Sequence, residues 1–330
     1  MDPSARATVE YARTDDGWDL ALHHYRGERW PPVILCGGYA CNRHFLDFEE
    51  RYSLARFLAG LGFDTWVVEL RGRGYSEPAG GSRRRGWIFD DLVRFDVPAA
   101  LAYVRAHARE QAPVWIGHSM GGMVMYAALG QDPRMGESVA GLVAIASPVA
   151  FPPIASALAR SIGGVLLALP LPEFLPQQNV LIALWSLASR SPRAAEVGMN
   201  PVNIDRRAFG KALRRFMCNV PRGKLQQFIH WSLTGSFRSR DGTIDYRANL
   251  HRIVTPALII AGASDRLASP EVVGLAFDRI GSTRKSYREF ATRHADHADY
   301  GHVDLIFGRR APDEVFPAVS DWIDHEIAAR

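Results

Sequence analysis

Apolar and polar positions in this chain fall into short blocks that switch between strand and helix periodicity. Thr8–Arg13 and Trp18–Tyr25 predict the two strands of a hairpin, joined by a turn at Asp15-Asp16-Gly17. Val33-Ile34-Leu35-Cys36 is a continuous apolar run, the form taken by a strand buried on both faces. Residues 54–61 predict a helix closed by Gly62, residues 65–70 the next strand, and residues 91–108 a helix with apolar positions at helical spacing. Residues 114–116, 142–146, 257–261 and 286–290 read as four further strands, and residues 311–329 as a closing helix. Strands alternating with helices predict an α/β fold with a mostly parallel, doubly wound sheet covered on both faces. Ligands of such sheets bind beyond the carboxyl ends of the strands, which puts the loops after Cys36, Ile116, Ala146, Ala261 and Phe290 on one rim.

The alternation stops between residues 148 and 250. No strand is evident there, and proline-punctuated apolar helices are expected at 154–169, 180–189, 207–218 and 225–233. Because strands resume at Ala257, the stretch reads as a helical cap inserted over the rim. The division is then 1–147 and 251–330 for the two parts of the core and 148–250 for the cap. Leu166, Leu167, Ala168, Leu169, Leu171, Phe174, Trp185, Phe216 and Trp231 have two readings, the wall of an apolar pocket or the cap's own core.

Candidate chemistry centres on Gly117-His118-Ser119-Met120-Gly121. The run follows the strand at 114–116 and precedes the apolar helix at 123–129, which makes it a nucleophile elbow. Glycines two before and two after the serine remove side chains that would collide across so sharp a turn. The serine lands at a helix N-terminus, where backbone N–H groups can meet an oxyanion. The partners in such a sheet follow in the order Ser, acid, His. Asp265 stands just past the strand ending at Ala261, before Pro270 opens a helix. His302, in Tyr300-Gly301-His302, is the candidate base, and its preceding glycine is expected to let the loop turn toward the serine. Met120 N–H and Tyr39 N–H, the latter in Gly37-Gly38-Tyr39-Ala40, are the expected oxyanion donors. Gly38 and His118, with Leu166, Leu167, Trp185 and Trp231, are candidate lining of the substrate pocket. His294, His297 and His302 with the nearby Asp296, Asp299 and Asp304 lack the helix-borne or paired-cysteine spacing of a zinc site, so no metal is expected and the first two histidines read as loop polar groups. His325 reads as surface.

Composition narrows the class of protein. The 330 residues are 47% hydrophobic and 22% charged, an ordinary globule with a large core. The net charge is +4 and the densest basic cluster is Ser82-Arg83-Arg84-Arg85, too short a stripe for nucleic-acid binding. Three cysteines (Cys36, Cys41 and Cys218) form no disulfide framework, the N-terminal residues lack the apolar core of a signal peptide, and no run is long enough to span a membrane. A cytoplasmic location is therefore the expectation.

The segment Tyr300-Gly301-His302-Val303-Asp304-Leu305-Ile306-Phe307-Gly308, followed by Ala311-Pro312 and Val315-Phe316, resembles the histidine loop of the acid lipases of the gastric and lysosomal type, where an H-x-D-F-x-W-G…A-P pattern occurs. Leu225-Gln226-Gln227-Phe228-Ile229-His230-Trp231 is similar to a cap segment of the same family. The whole chain resembles the α/β-hydrolase superfamily. The resemblance implies Ser119 as nucleophile, Asp265 as acid, His302 as base, ester hydrolysis and no cofactor. Two departures stand out: Gly37-Gly38 replaces the family's His-Gly, and the absence of a secretory leader in these residues turns the expectation away from bulk triglyceride toward a small apolar ester or acyl substrate. Polyhydroxyalkanoate synthases share a similar elbow but use cysteine, and dehalogenases and epoxide hydrolases use aspartate; Ser119 argues against all three. A thioesterase or acyltransferase on the same residues, and a non-catalytic ligand receptor on the same fold, are the competing expectations.

Overall fold

The computed structural model describes residues 7–81, 86–151, 157–169, 171–176, 178–180, 182–183 and 198–329. Eight strands build the main sheet: β1 Thr8–Arg13, β2 Trp18–Tyr25, β3 Arg29–Cys36, β4 Phe63–Val68, β5 Val114–His118, β6 Gly141–Ile145, β7 Ala257–Gly262 and β8 Lys285–Phe290. Their spatial order is β1-β2-β4-β3-β5-β6-β7-β8, and a two-residue strand, Glu77–Pro78, pairs with β2. β2 runs antiparallel to β1 and β4, while every pairing from β4 to β8 is parallel. The mostly parallel α/β sheet expected from the sequence is thus present.

The described helices of seven residues or more are α1 Leu54–Gly60, α2 Val97–His107, α3 Met120–Gln131, α4 Ala157–Ala168, α5 Arg206–Phe216, α6 Arg222–Thr234, α7 Pro270–Arg279 and α8 Ala311–Ile323. Successive strand side chains point to opposite faces, so each strand feeds two cores. Ile34, Trp115, Leu142 and Ile259 pack with residues of α2, α3 and α7. Leu35, Ile116, Val143 and Ile260 pack with residues of α1, α5 and α8. Both faces are buried, which is why these strands read as unbroken apolar runs.

Parallel register brings the strand ends level. Cys36 pairs with Gly117, His118 with Ile145, and Gly262 with Phe290. The loops that follow therefore leave from one rim, and these loops carry Ser119, Asp265 and His302.

Besides shifts of a few residues at strand and helix ends, three features depart from the sequence reading. The helix expected at 91–108 is Phe89–Asp91, then a π-helical turn Leu92–Asp96, then α2. That turn ends at buried Asp96, whose carboxylate accepts from the Arg71 backbone N–H at 2.8 Å and from its guanidinium at 2.7 Å. The closing helix ends at Ile323 and continues as a π-helical turn, Asp324–Ala328. Between β6 and β7, where no strand was expected, Phe174–Leu175 pairs with Val220–Pro221. Two-residue strands carry no periodicity, so the sequence pattern could not reveal them. Most of the helix expected at 180–189 and the whole Ser82–Arg85 cluster lie outside the described residues.

Candidate active site

Ser119 sits between β5 and α3 with φ 54° and ψ −120°. A non-glycine residue held in that region is strained, and such strain persists only where the surroundings enforce it. The flanking glycines are the enforcement. A Cβ at Gly117 would lie 2.3 Å from the Gly121 carbonyl carbon, and one at Gly121 would lie 2.1 Å from the Cys36 carbonyl oxygen. The first turn of α3 is thus pressed against the end of β3, and the motif is spelled by packing as much as by chemistry. Ser119 is half-buried on the rim.

Asp265 follows β7 by three residues, and its side chain is fully buried. One carboxylate oxygen accepts from Leu267 N–H and Ala268 N–H, both at 2.8 Å. The other accepts from His302 Nδ1 at 2.8 Å. These three bonds fix the carboxylate and assign the Nδ1–H tautomer to His302, leaving Nε2 as its other ring nitrogen.

The His302 loop is clamped from below. Asp304, wholly buried, accepts from Gly301 N–H at 2.9 Å, Asn200 N–H at 3.2 Å and the Asn203 side chain at 2.9 Å. A Cβ at Gly301 would lie 2.7 Å from Met199 Cα and 2.8 Å from Asn200 N. The glycine before His302 is therefore needed for close approach to residues 199–200, and not for the turn expected of it. Burial pushes the Asp304 carboxyl up to about 6 against the pull of its N–H donors. The unfolded value is about 4, so between about 4 and 6 the folded state holds a proton that the unfolded state lacks, and stability falls as pH rises through that window. Asp304→Ala leaves buried N–H groups without an acceptor. It is expected to lower the unfolding free energy at pH 7 by roughly 1–3 kcal/mol and to flatten the pH 4–6 slope, read by urea melts at several pH values.

Of the expected pocket residues, His118 is buried and donates from Nε2 to the His302 carbonyl at 2.9 Å, with the two rings 4.8 Å apart. It braces the His302 loop and brings that ring beside the residue preceding Ser119. Burial holds the His118 imidazole well below its usual range, so it is neutral. Gly38 lies against Ser119, with its would-be Cβ 3.4 Å from Ser119 Cβ. Trp231 takes the core role of its two readings. It is fully buried, packs edge-on against Phe89 and Phe237 at 5.0 and 5.2 Å, and donates from Nε1 to the Arg238 carbonyl at 2.9 Å. Trp231→Ala is expected to cost about 3–5 kcal/mol of stability by cavity formation, measurable by urea denaturation. Leu167 is half-buried, while the side chain of Leu166 and all of Trp185 lie outside the described residues.

His294 and His297 stay apart from this constellation. Both are exposed, and His297 bonds the Glu314 carboxylate. Among the described residues no group of three His, Cys, Asp or Glu side chains is arranged to hold a metal, and no helix is long and apolar enough to cross a membrane.

Several residues around the candidate donors were not picked out in the sequence. Arg73, buried in the loop after β4, reaches the Gly37, Tyr39 and Cys41 carbonyls and the Met120 sulfur. Lys224, buried on α6, donates to the Tyr39 carbonyl at 2.8 Å. Phe228 meets the Tyr39 ring edge-on at 4.7 Å, and Phe151 lies 6.1 Å beyond Phe228. The available signal was spacing: residues 224, 228 and 231 share one helical face, on which a lysine among aromatics is out of place.

Residues 31–301 match the alpha/beta hydrolase fold family, and the chain belongs to it. Among curated relatives, it is 24% identical to the lysosomal acid lipase/cholesteryl ester hydrolase of Macaca fascicularis, over 94% of this chain and 85% of that protein. It is 21% identical to human gastric triacylglycerol lipase, over 95% of this chain and 86% of that one. Among solved structures, an esterase from Exiguobacterium antarcticum superposes with a TM-score of 0.64 at 15% identity, covering 96% of this chain and all of the other (100%). The sequence-based resemblance to the lipase and esterase branch of the α/β-hydrolases is borne out.

Proposed function

We propose that this protein is a carboxylic-ester hydrolase working through Ser119, Asp265 and His302. The observation that carries the reading is the 2.8 Å bond from His302 Nδ1 to buried Asp265, on the same rim as the strained Ser119 elbow. In this reading Ser119 attacks the acyl carbonyl, and His302 Nε2 takes the serine proton and returns it to the departing alcohol. Asp265 keeps the imidazole in the required tautomer and offsets its charge. Water then resolves the acyl-enzyme by the same route in reverse.

The proposed oxyanion donors are Met120 N–H and Tyr39 N–H. Met120 is the first residue of α3, where backbone N–H groups have no partner within the helix. The segment between β6 and β7 acts as a cap, and its half-buried Phe228 beside Tyr39, with half-buried Phe151 beyond Phe228, supports an apolar acyl or alcohol group. The lipase and esterase relatives support the same substrate class.

A panel of p-nitrophenyl esters of increasing acyl length, run beside acyl thioesters and with or without an added alcohol acceptor, tests the reading. Turnover of the esters, with water as the preferred acceptor, is the expected result. Faster release from thioesters, or product diverted to the added alcohol, would reassign the protein as a thioesterase or acyltransferase. Tight ligand binding with no turnover would make it a receptor.

A further inference from the structure

We propose that Lys224 is a positioning residue for this hydrolysis: reaching in from helix α6, it holds the Tyr39 peptide so that the Tyr39 N–H faces the developing oxyanion. The inference rests on the ester-hydrolase reading and adds to it a contact between the inserted segment and the oxyanion loop.

Three observations converge on one short loop. First, its alternate carbonyls are gathered by a single guanidinium. Arg73 donates to Tyr39 O at 2.9 Å, Cys41 O at 3.2 Å and Gly37 O at 3.5 Å. The peptide that carries the Tyr39 N–H therefore lies between two anchored carbonyls, at 37 and 39. Arg73 is itself aimed by a rigid loop, because its neighbour Arg71 is locked to buried Asp96.

Second, helix α6 grips the same residue twice. Lys224 Nζ donates to Tyr39 O at 2.8 Å and lies 4.7 Å from the centre of the Tyr39 ring. Phe228, one turn further on the same face, packs edge-on against that ring at 4.7 Å. Third, the chain just before α6 is paired to the far side of the loop. Asn42 N–H donates to Phe216 O at 2.9 Å and Cys218 N–H to Ala40 O at 2.7 Å.

Energetics make the lysine conspicuous. Among the described residues, no carboxylate is in ion-pair contact with Lys224, and it shares its acceptor with a second cation. Burial, with Arg73 adding to it, draws its ammonium well below the usual lysine range. A buried amine beside a guanidinium is a poor device for stability, since apolar replacements of buried charges are often neutral or stabilising. Tyr39 O would keep its bond to Arg73 without it. What Lys224 adds is a second, differently directed hold on the peptide next to a catalytic donor, where a misplacement of 1 Å can lower the rate about 100-fold.

The test is Lys224→Met, which keeps the length and removes the donor, beside Lys224→Gln, which restores an N–H donor on a shorter stem. For p-nitrophenyl butyrate, kcat of Lys224→Met is expected to fall about 10- to 100-fold with KM within about twofold. Its melting temperature should stay level or rise, and Lys224→Gln should recover part of the lost kcat. Unchanged kcat in Lys224→Met overturns the proposal. So does a loss in both variants that tracks a lowered melting temperature, since that is a folding role. Ser119→Ala run in parallel separates the two layers: if it is inactive while Lys224→Met is fully active, only the positioning role falls; if Ser119→Ala is fully active, the hydrolase reading falls as well.

Discussion

Ser119→Ala is expected to lower kcat for p-nitrophenyl butyrate by about 10^4- to 10^6-fold with the fold intact. The hydroxyl is the proposed attacking group, and no neighbouring residue can take its place on the elbow. Alanine also fits the position without new contacts, because Ser119 is half-buried and its backbone is set by Gly117 and Gly121 rather than by its own side chain. Circular dichroism and melting temperature should match the parent protein. The residual rate should exceed that of water alone, because the Met120 and Tyr39 amides and the substrate pocket remain. His302→Ala, and the double variant with Ser119→Ala, should lose about as much as Ser119→Ala alone, since residues that act as a unit are not additive.

Asp265→Asn should lower kcat by about 10^4-fold. The size follows from the bonding around the carboxylate. One oxygen is held by the Leu267 and Ala268 N–H groups, so an amide must present its own carbonyl oxygen there. Its NH2 then faces His302 Nδ1, which can meet it only as an acceptor. The imidazole is driven to the Nε2–H tautomer, which cannot take the serine proton. KM should change little, because the Asp265 carboxylate is buried and taken up by Leu267, Ala268 and His302. Steady-state kinetics with a melting curve on the same preparation check this; a loss below about tenfold with the fold intact would mean that Asp265 does not set the tautomer.

Much of this site was legible in the sequence because its logic is local or ordinal. The elbow is five consecutive residues whose glycines are dictated by contacts at their own positions. Asp265 and His302 were singled out from chain order, Asp265 from its place just beyond a strand end and His302 from its place before the last helix, and the parallel register that makes strand ends level is a property of the fold class. The hairpin at 8–25 and the apolar strands carried the rest of the architecture. What stayed hidden depends on contacts distant in sequence. Lys224 meets Tyr39 across 185 positions, and nothing in the residues around either one specifies the other. Asp304 stood two residues from His302 and entered the sequence reading through the histidine-loop resemblance and through a metal site that was set aside, neither of which gives its acceptor role; that role depends on residues 200–203 folding beneath it. Trp231 had two readings of equal standing, and only its position between Phe89 and Phe237 assigns it to the core. The π-helical turn at Leu92–Asp96 has no signature in hydrophobic spacing, because one extra residue per turn over five positions barely shifts the apolar stripe.

The most direct test of the central claim is peptide mapping by mass spectrometry after reaction with a fluorophosphonate. A single phosphonylated residue, Ser119, is expected, with labelling rate and esterase activity lost together in His302→Ala. An adduct on another residue, or an active enzyme that takes no label at Ser119, would contradict it.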